Sequence, residues 1–328
     1  MKYTKKYLDN LESNSEEEKL VIEDLLSKAT KKDNLTSAES EYVFMLTQLL
    51  QGVNPTDKLD HKSFDCCKQP YFKNNYLIYA GNLNGSNPSF DFKGEIESGR
   101  KIVEIKELEE EHQEWLPNLS KFNHKDRLMN LIASEANIEI KKIREIAKTN
   151  FWGSNLLNAK IKEISLQSKF VYIEVKSMFE ESKNDTLQIY FGLIEVIIDF
   201  NSIVHIFWRH YSEKSKPYDT KKSFHLDKKI KYYELPSELF KILEKIKNII
   251  SISDKINFFI PIKIRGIIYS LWTKKSKESI KEKGLVEVIR LSTFYPTEEI
   301  NELNKISNDY FEIVIDTDLS VYKEKTTQ

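Results

Sequence analysis

The sequence predicts an α+β protein in which helices and a small β-sheet form the N-terminal part and an antiparallel sheet forms the C-terminal part. Three observations lead to this prediction. Apolar residues recur at helical spacing among charged ones in residues 1–52. Residues 64–107 contain turn dipeptides and alternating apolar residues, which are typical of strands. The last third of the chain holds further apolar runs of strand length.

The N-terminal part is predicted to extend to residue 150. Within it, SEEEKLVIEDLLSKA favours a helix, and Thr36 followed by Glu39 has the spacing of a capping box at the start of the next one. Residues 64–107 are expected to form strands joined by turns at Asn84-Gly85 and Ser98-Gly99. Residues 107–148 indicate a charged helix. The segment KTNFWGSN then marks the predicted boundary, which gives domains 1–150 and 151–328.

The C-terminal part is predicted to be mainly strands. The expected strands between residues 160 and 212 are KFVYIEVKSMF, TLQIYFGLIEVIIDF and IVHIFW. A helix is expected to open at Pro236, and later strands to include KINFFIPIKI, GLVEVIRLSTFYP and YFEIVIDTD. The segment TEEINELNKIS predicts a helix between the last two strands.

Composition excludes several classes of function. Hydrophobic residues make up 40% of the chain and charged residues 31%, with a net charge of −1, which argues against a general DNA-coating protein. The N-terminus has no apolar signal segment, and no apolar run is long enough for a membrane span. The adjacent Cys66 and Cys67 are expected to be reduced thiols. We therefore expect a cytoplasmic protein without a membrane partner.

Histidines are concentrated in one segment of the chain. Of the six histidines, His205, His210 and His225 fall between residues 203 and 225, in a segment that is also rich in lysine. Two such side chains can act as general base and general acid in RNA cleavage, where the 2′-hydroxyl attacks its own phosphate. That reaction needs no metal, because the nucleophile is intramolecular and already positioned. His205 is expected to be a packed strand residue, and His210 to lie at or beyond the strand end.

Two short motifs give the C-terminal half a resemblance to a known family. VHIFWRHY and STFYP occur in the order seen in the metal-independent ribonuclease superfamily of barnase, EndoU, the colicins and RelE, and the resemblance covers roughly residues 185–325. It implies an active site of two histidines, a basic residue, a Ser or Thr and a Tyr. The residues at the matching positions are His210, His225, Lys222, Thr293 and Tyr295. Arg209 and Lys221 are expected to bind substrate.

A second enzyme class is indicated by Asp91, Glu104 and Lys106. These residues follow the order of the PD-(D/E)xK nucleases, in which two carboxylates bind Mg²⁺ and a lysine positions the attacking water. If KIVEIKE is a strand, Glu104 and Lys106 share one face. The same pattern occurs again at Glu174 and Lys176, which shows how common it is in a chain rich in Glu and Lys.

Three functions are open at this point. The favoured one is a metal-independent endoribonuclease without a cofactor, acting as a toxin or phage-conflict effector, with RNA favoured over DNA as the partner. The second is a Mg²⁺-dependent DNA nuclease centred on Asp91, Glu104 and Lys106. The third is a non-catalytic binding protein whose histidines are structural and whose charged faces bind a protein partner.

Overall fold

The computed structural model describes residues 2–49, 60–83, 100–121, 123, 125–180, 184–211, 230–251, 257–280 and 284–325. Their helices are α1 (Lys5–Asp9), α2 (Glu16–Lys31), α3 (Ser37–Leu49), α4 (Lys68–Leu83), α5 (Arg100–Ser120), α6 (Arg127–Thr149), α7 (Ser154–Glu180), α8 (Phe200–His210), α9 (Leu235–Ile246) and α10 (Ile300–Asp309). Their strands are β1 (Thr186–Phe191), β2 (Ile194–Asp199), β3 (Asn257–Ile264), β4 (Ile267–Ile280), β5 (Gly284–Pro296), β6 (Tyr310–Val314) and β7 (Leu319–Glu324).

The chain forms two compact units. The first contains Met1–Ser120 and Asn158–Glu181, and the second contains Lys121–Leu157 and Ser182–Gln328. The division falls inside α7, whereas the predicted boundary at residue 150 lies at the end of α6, within the second unit.

Helices make up the regular structure of the first unit's described residues. The predicted capping box is present, because the Glu39 backbone N–H donates to Thr36 Oγ1 at 3.2 Å and the Thr36 N–H donates to the Glu39 carboxylate at 2.8 Å. The apolar faces of α1, α2 and α3 pack into one core. Its fully or nearly fully buried members include Leu25, Val43, Leu46 and Cys67.

The predicted small sheet in the N-terminal part is wrong for the described residues. Residues 68–83 and 100–120 form α4 and α5 instead of strands. In α4, Phe72 and Tyr76 are buried one helical turn apart, and they stack at 6.1 Å between ring centroids. Burial of this aromatic face by tertiary packing therefore outweighs the strand preference of the individual residues. The predicted turns at Asn84-Gly85 and Ser98-Gly99 lie outside the described residues.

The second unit is built on one seven-stranded sheet with the order β1-β2-β5-β4-β3-β7-β6. Neighbouring strands are antiparallel, as predicted, except β2 and β5, which are parallel. The predicted antiparallel sheet is thus a mixed sheet with one parallel pair. A parallel pair requires a long connection, and the chain from β2 to β5 includes α8, α9, β3 and β4.

Two further predicted strands are helical. KFVYIEVKSMF belongs to the 27-residue helix α7, and IVHIFW belongs to α8. In α8, Ile203, Ile206 and Phe207 are fully buried, so the apolar run reflects a helix that is buried on most of its surface. Such a run cannot be distinguished from a buried strand by periodicity alone.

The α+β class is confirmed, with helices throughout the chain and the sheet in the C-terminal half. Among the residues that the structure describes, no helix combines the length and the apolar character that a membrane crossing requires.

Candidate active site

Helix α8 carries His210 at its last position, and its first turn is anchored by a capping box. Asp199, the last residue of β2, accepts hydrogen bonds from the backbone N–H groups of Asn201 and Ser202, and the Ser202 hydroxyl faces the Asp199 N–H in return. The motif Asp-Phe-Asn-Ser is therefore a helix start directly after a strand. It fixes the direction in which α8 leaves the sheet.

Two arginines bind the same capping carboxylate. Arg290 of β5 places its Nε atom 3.0 and 3.1 Å from the two Asp199 oxygens, and Arg127 of α6 places Nη2 3.0 Å from Oδ2. Asp199 is only 1% exposed, so its charge requires these partners. The ion pair of Asp199 with Arg290 links the start of α8 to β5, the strand that carries the predicted catalytic residues Thr293 and Tyr295.

The opposite end of α8 is tied to α6 by Arg209. Its guanidinium lies 2.7 Å from Glu135 and 3.3 Å from Glu139, and the side chain is 6% exposed. Burial raises the pKa of Glu135, but the nearby His205 and the hydrogen bond from Arg209 outweigh it and lower the value to about 2. Burial raises the pKa of Glu139 despite the arginine charge.

A β-bulge precedes the site on β5. Trp272 of β4 pairs with Thr293 while Thr273 pairs with Leu291, so Ser292 is an extra residue in β5. Bulges re-aim the side chains that follow them and are frequent beside active sites. Beyond this bulge, Ser270 pairs with Tyr295. Because paired residues share a face, one surface of the sheet carries Ser270, Trp272, Thr293 and Tyr295.

His210 meets this face at two residues. Its Nε2 lies 3.0 Å from Thr293 Oγ1, and its ring stacks on Tyr295 with centroids 4.9 Å apart and planes 21° apart. Glu302 of α10 completes the group, because its Oε1 accepts a hydrogen bond from Ser270 at 2.7 Å and lies 3.5 Å from the Tyr295 hydroxyl. We call His210, Ser270, Thr293, Tyr295 and Glu302 the His210 cluster.

Tyr295 is held in its protonated form. Burial raises its pKa above the ordinary value, the Glu302 charge raises it further, and hydrogen bonds with Trp272 and Ser270 act in the opposite direction. At neutral pH the phenol is therefore a hydrogen-bond donor. It can donate to a negative charge but cannot act as a base.

The two described histidines of the segment differ in environment. His210 is 6% exposed and is the last residue of a helix, whereas the sequence predicts it at or beyond the end of a strand. His205 is 39% exposed, with its ring centroid 6.3 Å from that of His210 and its Nδ1 3.9 Å from Glu135. His205 is thus a partly exposed helix residue, which corrects its predicted place in a strand.

The structure brings together three of the predicted catalytic residues, His210, Thr293 and Tyr295. His225, Lys222 and Lys221 lie outside the described residues and stay predictions. Arg209, predicted to bind substrate, is buried and forms ion pairs with Glu135 and Glu139 of α6.

The structure does not place Glu104 and Lys106 on one face, as the predicted metal site requires. Glu104 and Lys106 lie on helix α5, and residues two apart on a helix point about 200° apart, so they do not share a face. Lys106 instead lies 3.9 Å from Glu110, one turn further on. Asp91 is outside the described residues. Within the part of the chain that the structure describes, no three His, Cys, Asp or Glu side chains are grouped as metal ligands would be.

The sequence analysis did not identify three residues in or next to the site. They are Ser270, Trp272 and Glu302. Glu302 had a detectable signal, because it lies in the first turn of a predicted helix directly after the STFYP motif. Ser270 and Trp272 had none, since only the pairing of β4 with β5 brings them to Tyr295 and Thr293.

Acid is expected to weaken the contact of α6 with α8. The folded pKa of Glu135, about 2, is below the ordinary value of 4.5, so its stabilising contribution is present above about pH 4.5 and is lost as the pH falls towards 2. The fall in melting temperature over this range should be smaller in Glu135→Gln than in the wild type. Equal falls in both proteins would contradict the ion-pair role of Glu135.

Comparison of the chain with protein-family models, with curated proteins and with solved structures found no match.

Proposed function

We propose that the protein is a metal-independent endoribonuclease with the His210 cluster as its active site. The observation that carries the proposal is the contact of His210 with both Thr293 and Tyr295, at 3.0 Å from Nε2 to Oγ1 and 4.9 Å between rings. These are the positions at which the family resemblance implies a histidine, a Ser or Thr and a tyrosine. They come from a helix and a strand that are distant in the chain.

In the proposed reaction, His210 exchanges a proton with the RNA at Nε2. Thr293 Oγ1 occupies the space beside this atom in the free protein. In the reaction the RNA would displace the Thr293 hydroxyl from Nε2. The hydroxyl could then donate to a phosphoryl oxygen and hold the phosphate beside the imidazole. Thr293 and Tyr295 are both partly exposed, so the substrate would approach from their side of the cluster.

Tyr295 supplies a hydrogen bond to the charge that develops on the phosphorane. Its raised pKa keeps the phenol protonated at neutral pH, as this role requires. Stacking on the His210 ring restricts both side chains to one relative geometry. A donor that is already positioned costs no reorganisation when the charge forms.

A second proton carrier is required, and two residues are candidates. The family resemblance implies His225, which would pair with His210 as acid and base. Glu302 is the alternative within the described cluster, since its carboxylate lies 3.5 Å from the Tyr295 hydroxyl. The role as a toxin or phage-conflict effector rests on the same resemblance.

The test is cleavage of a single-stranded RNA and of the DNA of the same sequence, with and without EDTA. The RNA is expected to be cut in EDTA, because its own 2′-hydroxyl is the nucleophile, and the DNA is expected to stay intact. Mass spectrometry of the products should find 2′,3′-cyclic phosphate ends. Cleavage that EDTA abolishes, or cutting of DNA, would contradict the proposal. Binding of RNA without cleavage would favour the non-catalytic binding protein instead.

A further inference from the structure

A cavity of about 430 Å³ opens beside the His210 cluster on the second unit. Its volume is within the range of about 300–1,000 Å³ that is usual for sites that bind small molecules or their parts. Five aromatic rings line it, and each is partly exposed. They belong to Phe258, Phe259, Trp272, Tyr310 and Tyr322.

The cavity and the His210 cluster share Trp272. Phe259 of β3 pairs with Trp272 of β4, which pairs with Thr293 of β5, so the three residues form one row across the same face of the sheet. Adjacent strands lie about 4.8 Å apart, which places Trp272 one strand spacing and Phe259 two spacings from Thr293. Tyr295 lies on the same face of β5, two residues beyond Thr293. A ligand in the cavity would therefore lie next to a phosphate held at His210.

Three of the rings pack against one another and form a continuous aromatic wall of the cavity. Phe259 and Trp272 lie 4.6 Å apart at 30°, while Tyr310 meets Phe259 edge-on at 6.0 Å and 86°. Burial raises the pKa of Tyr310, with Glu324 and Asp309 adding to the effect, so its hydroxyl remains a donor at neutral pH. Asn257, on the same wall, offers an amide donor and acceptor.

Charge at the rim favours an anionic ligand. Two exposed lysines, Lys305 and Lys323, lie at the cavity. The cavity lining contains one carboxylate, Glu324, so its charge is positive on balance. Aromatic rings next to lysines are the features with which proteins bind single-stranded nucleic acids, because bases stack on the rings while cations contact the backbone. A base that is paired in a duplex is not available for such stacking.

We propose that this cavity binds a base of single-stranded RNA next to the phosphate at His210. The choice of RNA as the ligand rests on the proposed function, whereas the cavity itself does not. Trp272 and Phe259 would provide the stacking surface, and Lys305 and Lys323 would contact the flanking phosphates. The protein would then require an unpaired nucleotide beside the cleaved bond.

The test uses the full chain with His210→Ala, so that a short fluorescein-labelled oligoribonucleotide is bound without being cut. Adding Trp272→Leu is expected to raise Kd about 5- to 150-fold, as loss of one stacked base does. The double variant Lys305→Ala and Lys323→Ala tests the same site without removing a ring. Both lysines are exposed, so their replacement should not disturb the packing. This pair is expected to reduce the slope of log Kd against log salt by about 1.4.

The matched control is Lys141→Ala with Lys148→Ala, two exposed lysines of α6, which should leave both Kd and the salt slope unchanged. A duplex of the same sequence should bind more weakly than the single strand. Binding that changes in neither the Trp272 variant nor the Lys305 and Lys323 pair would overturn the inference, as would no binding at all.

The two proposals fail in different ways. If the wild type cuts RNA but the cavity substitutions change neither the Kd nor the salt slope of RNA binding, the cavity proposal alone is wrong. If the wild type never cuts RNA but binding depends on Trp272 and the two lysines, the nuclease proposal alone is wrong.

Discussion

Replacement of His210 by alanine is expected to lower the rate of RNA cleavage about 10²- to 10⁴-fold, the usual contribution of one general acid or base. The loss follows from removing Nε2, the atom that lies 3.0 Å from Thr293 Oγ1. The rate of the wild type should follow a bell in pH, because one carrier must be protonated and the other deprotonated. Initial rates on a labelled RNA over a range of pH measure both effects.

Because His210 is buried, its variants need a check of folding. His210→Gln retains a side chain of similar reach, and it should lose as much activity as the alanine variant while it melts closer to the wild type. His205→Ala is the matched control, since His205 lies on the same helix, is partly exposed and should leave the rate close to that of the wild type. Tyr295→Phe should cost less than His210→Ala, because it removes one hydrogen bond and keeps the stacked ring. A wild-type rate in His210→Gln would remove the histidine from the mechanism.

Replacement of Arg209 by alanine is expected to lower the free energy of unfolding of the second unit by about 3–5 kcal/mol. The variant leaves the buried Glu139 and the partly buried Glu135 without the arginine that lies 3.3 and 2.7 Å from them. Urea unfolding measures the loss. Arg144→Ala is the matched control, since Arg144 is exposed on α6, and it should change stability little.

The same experiment decides between two roles for Arg209. An arginine that serves only to bind substrate would leave stability unchanged when it is removed, and only the binding of RNA would weaken. Replacing the whole group, with Arg209→Met, Glu135→Gln and Glu139→Gln together, should recover part of the lost stability, because no charge is then left buried alone. A triple variant as unstable as Arg209→Ala would contradict the charge argument.

The contact among His210, Thr293 and Tyr295 could be predicted from short motifs, although the local structure around His210 could not. The resemblance was drawn from residue types alone, and these do not depend on whether His210 ends a strand or a helix. The helix start was also encoded, in Asp199 and Ser202, but these capping residues lie inside an apolar run that equally suits a strand. The partners Ser270 and Glu302 depend on strand pairing and on the packing of α10, which no local pattern contains.

The fold was easiest to predict where apolar spacing and capping agree. Helices α2 and α3 begin at recognisable caps, and β3 to β7 are bounded by turn residues or charged segments. The errors fall on α4, the start of α5, the second half of α7 and α8, which are rich in aromatic or β-branched residues that favour strands by propensity. Burial of those rings against neighbouring helices decides their structure, as for Tyr76 and Phe170, whose centroids lie 4.9 Å apart.

The hydrogen bond from His210 to Thr293 spans 83 residues, and the ion pair from Asp199 to Arg290 spans 91. During synthesis, therefore, α8 emerges from the ribosome long before β5, and the parallel pair of β2 and β5 cannot form until β5 has been made. Pairings of such sequence separation form late in folding, because their loops are costly to close. If the site cleaves RNA as proposed, the nascent chain would remain inactive next to the ribosome's own RNA until β5 has emerged and paired with β2.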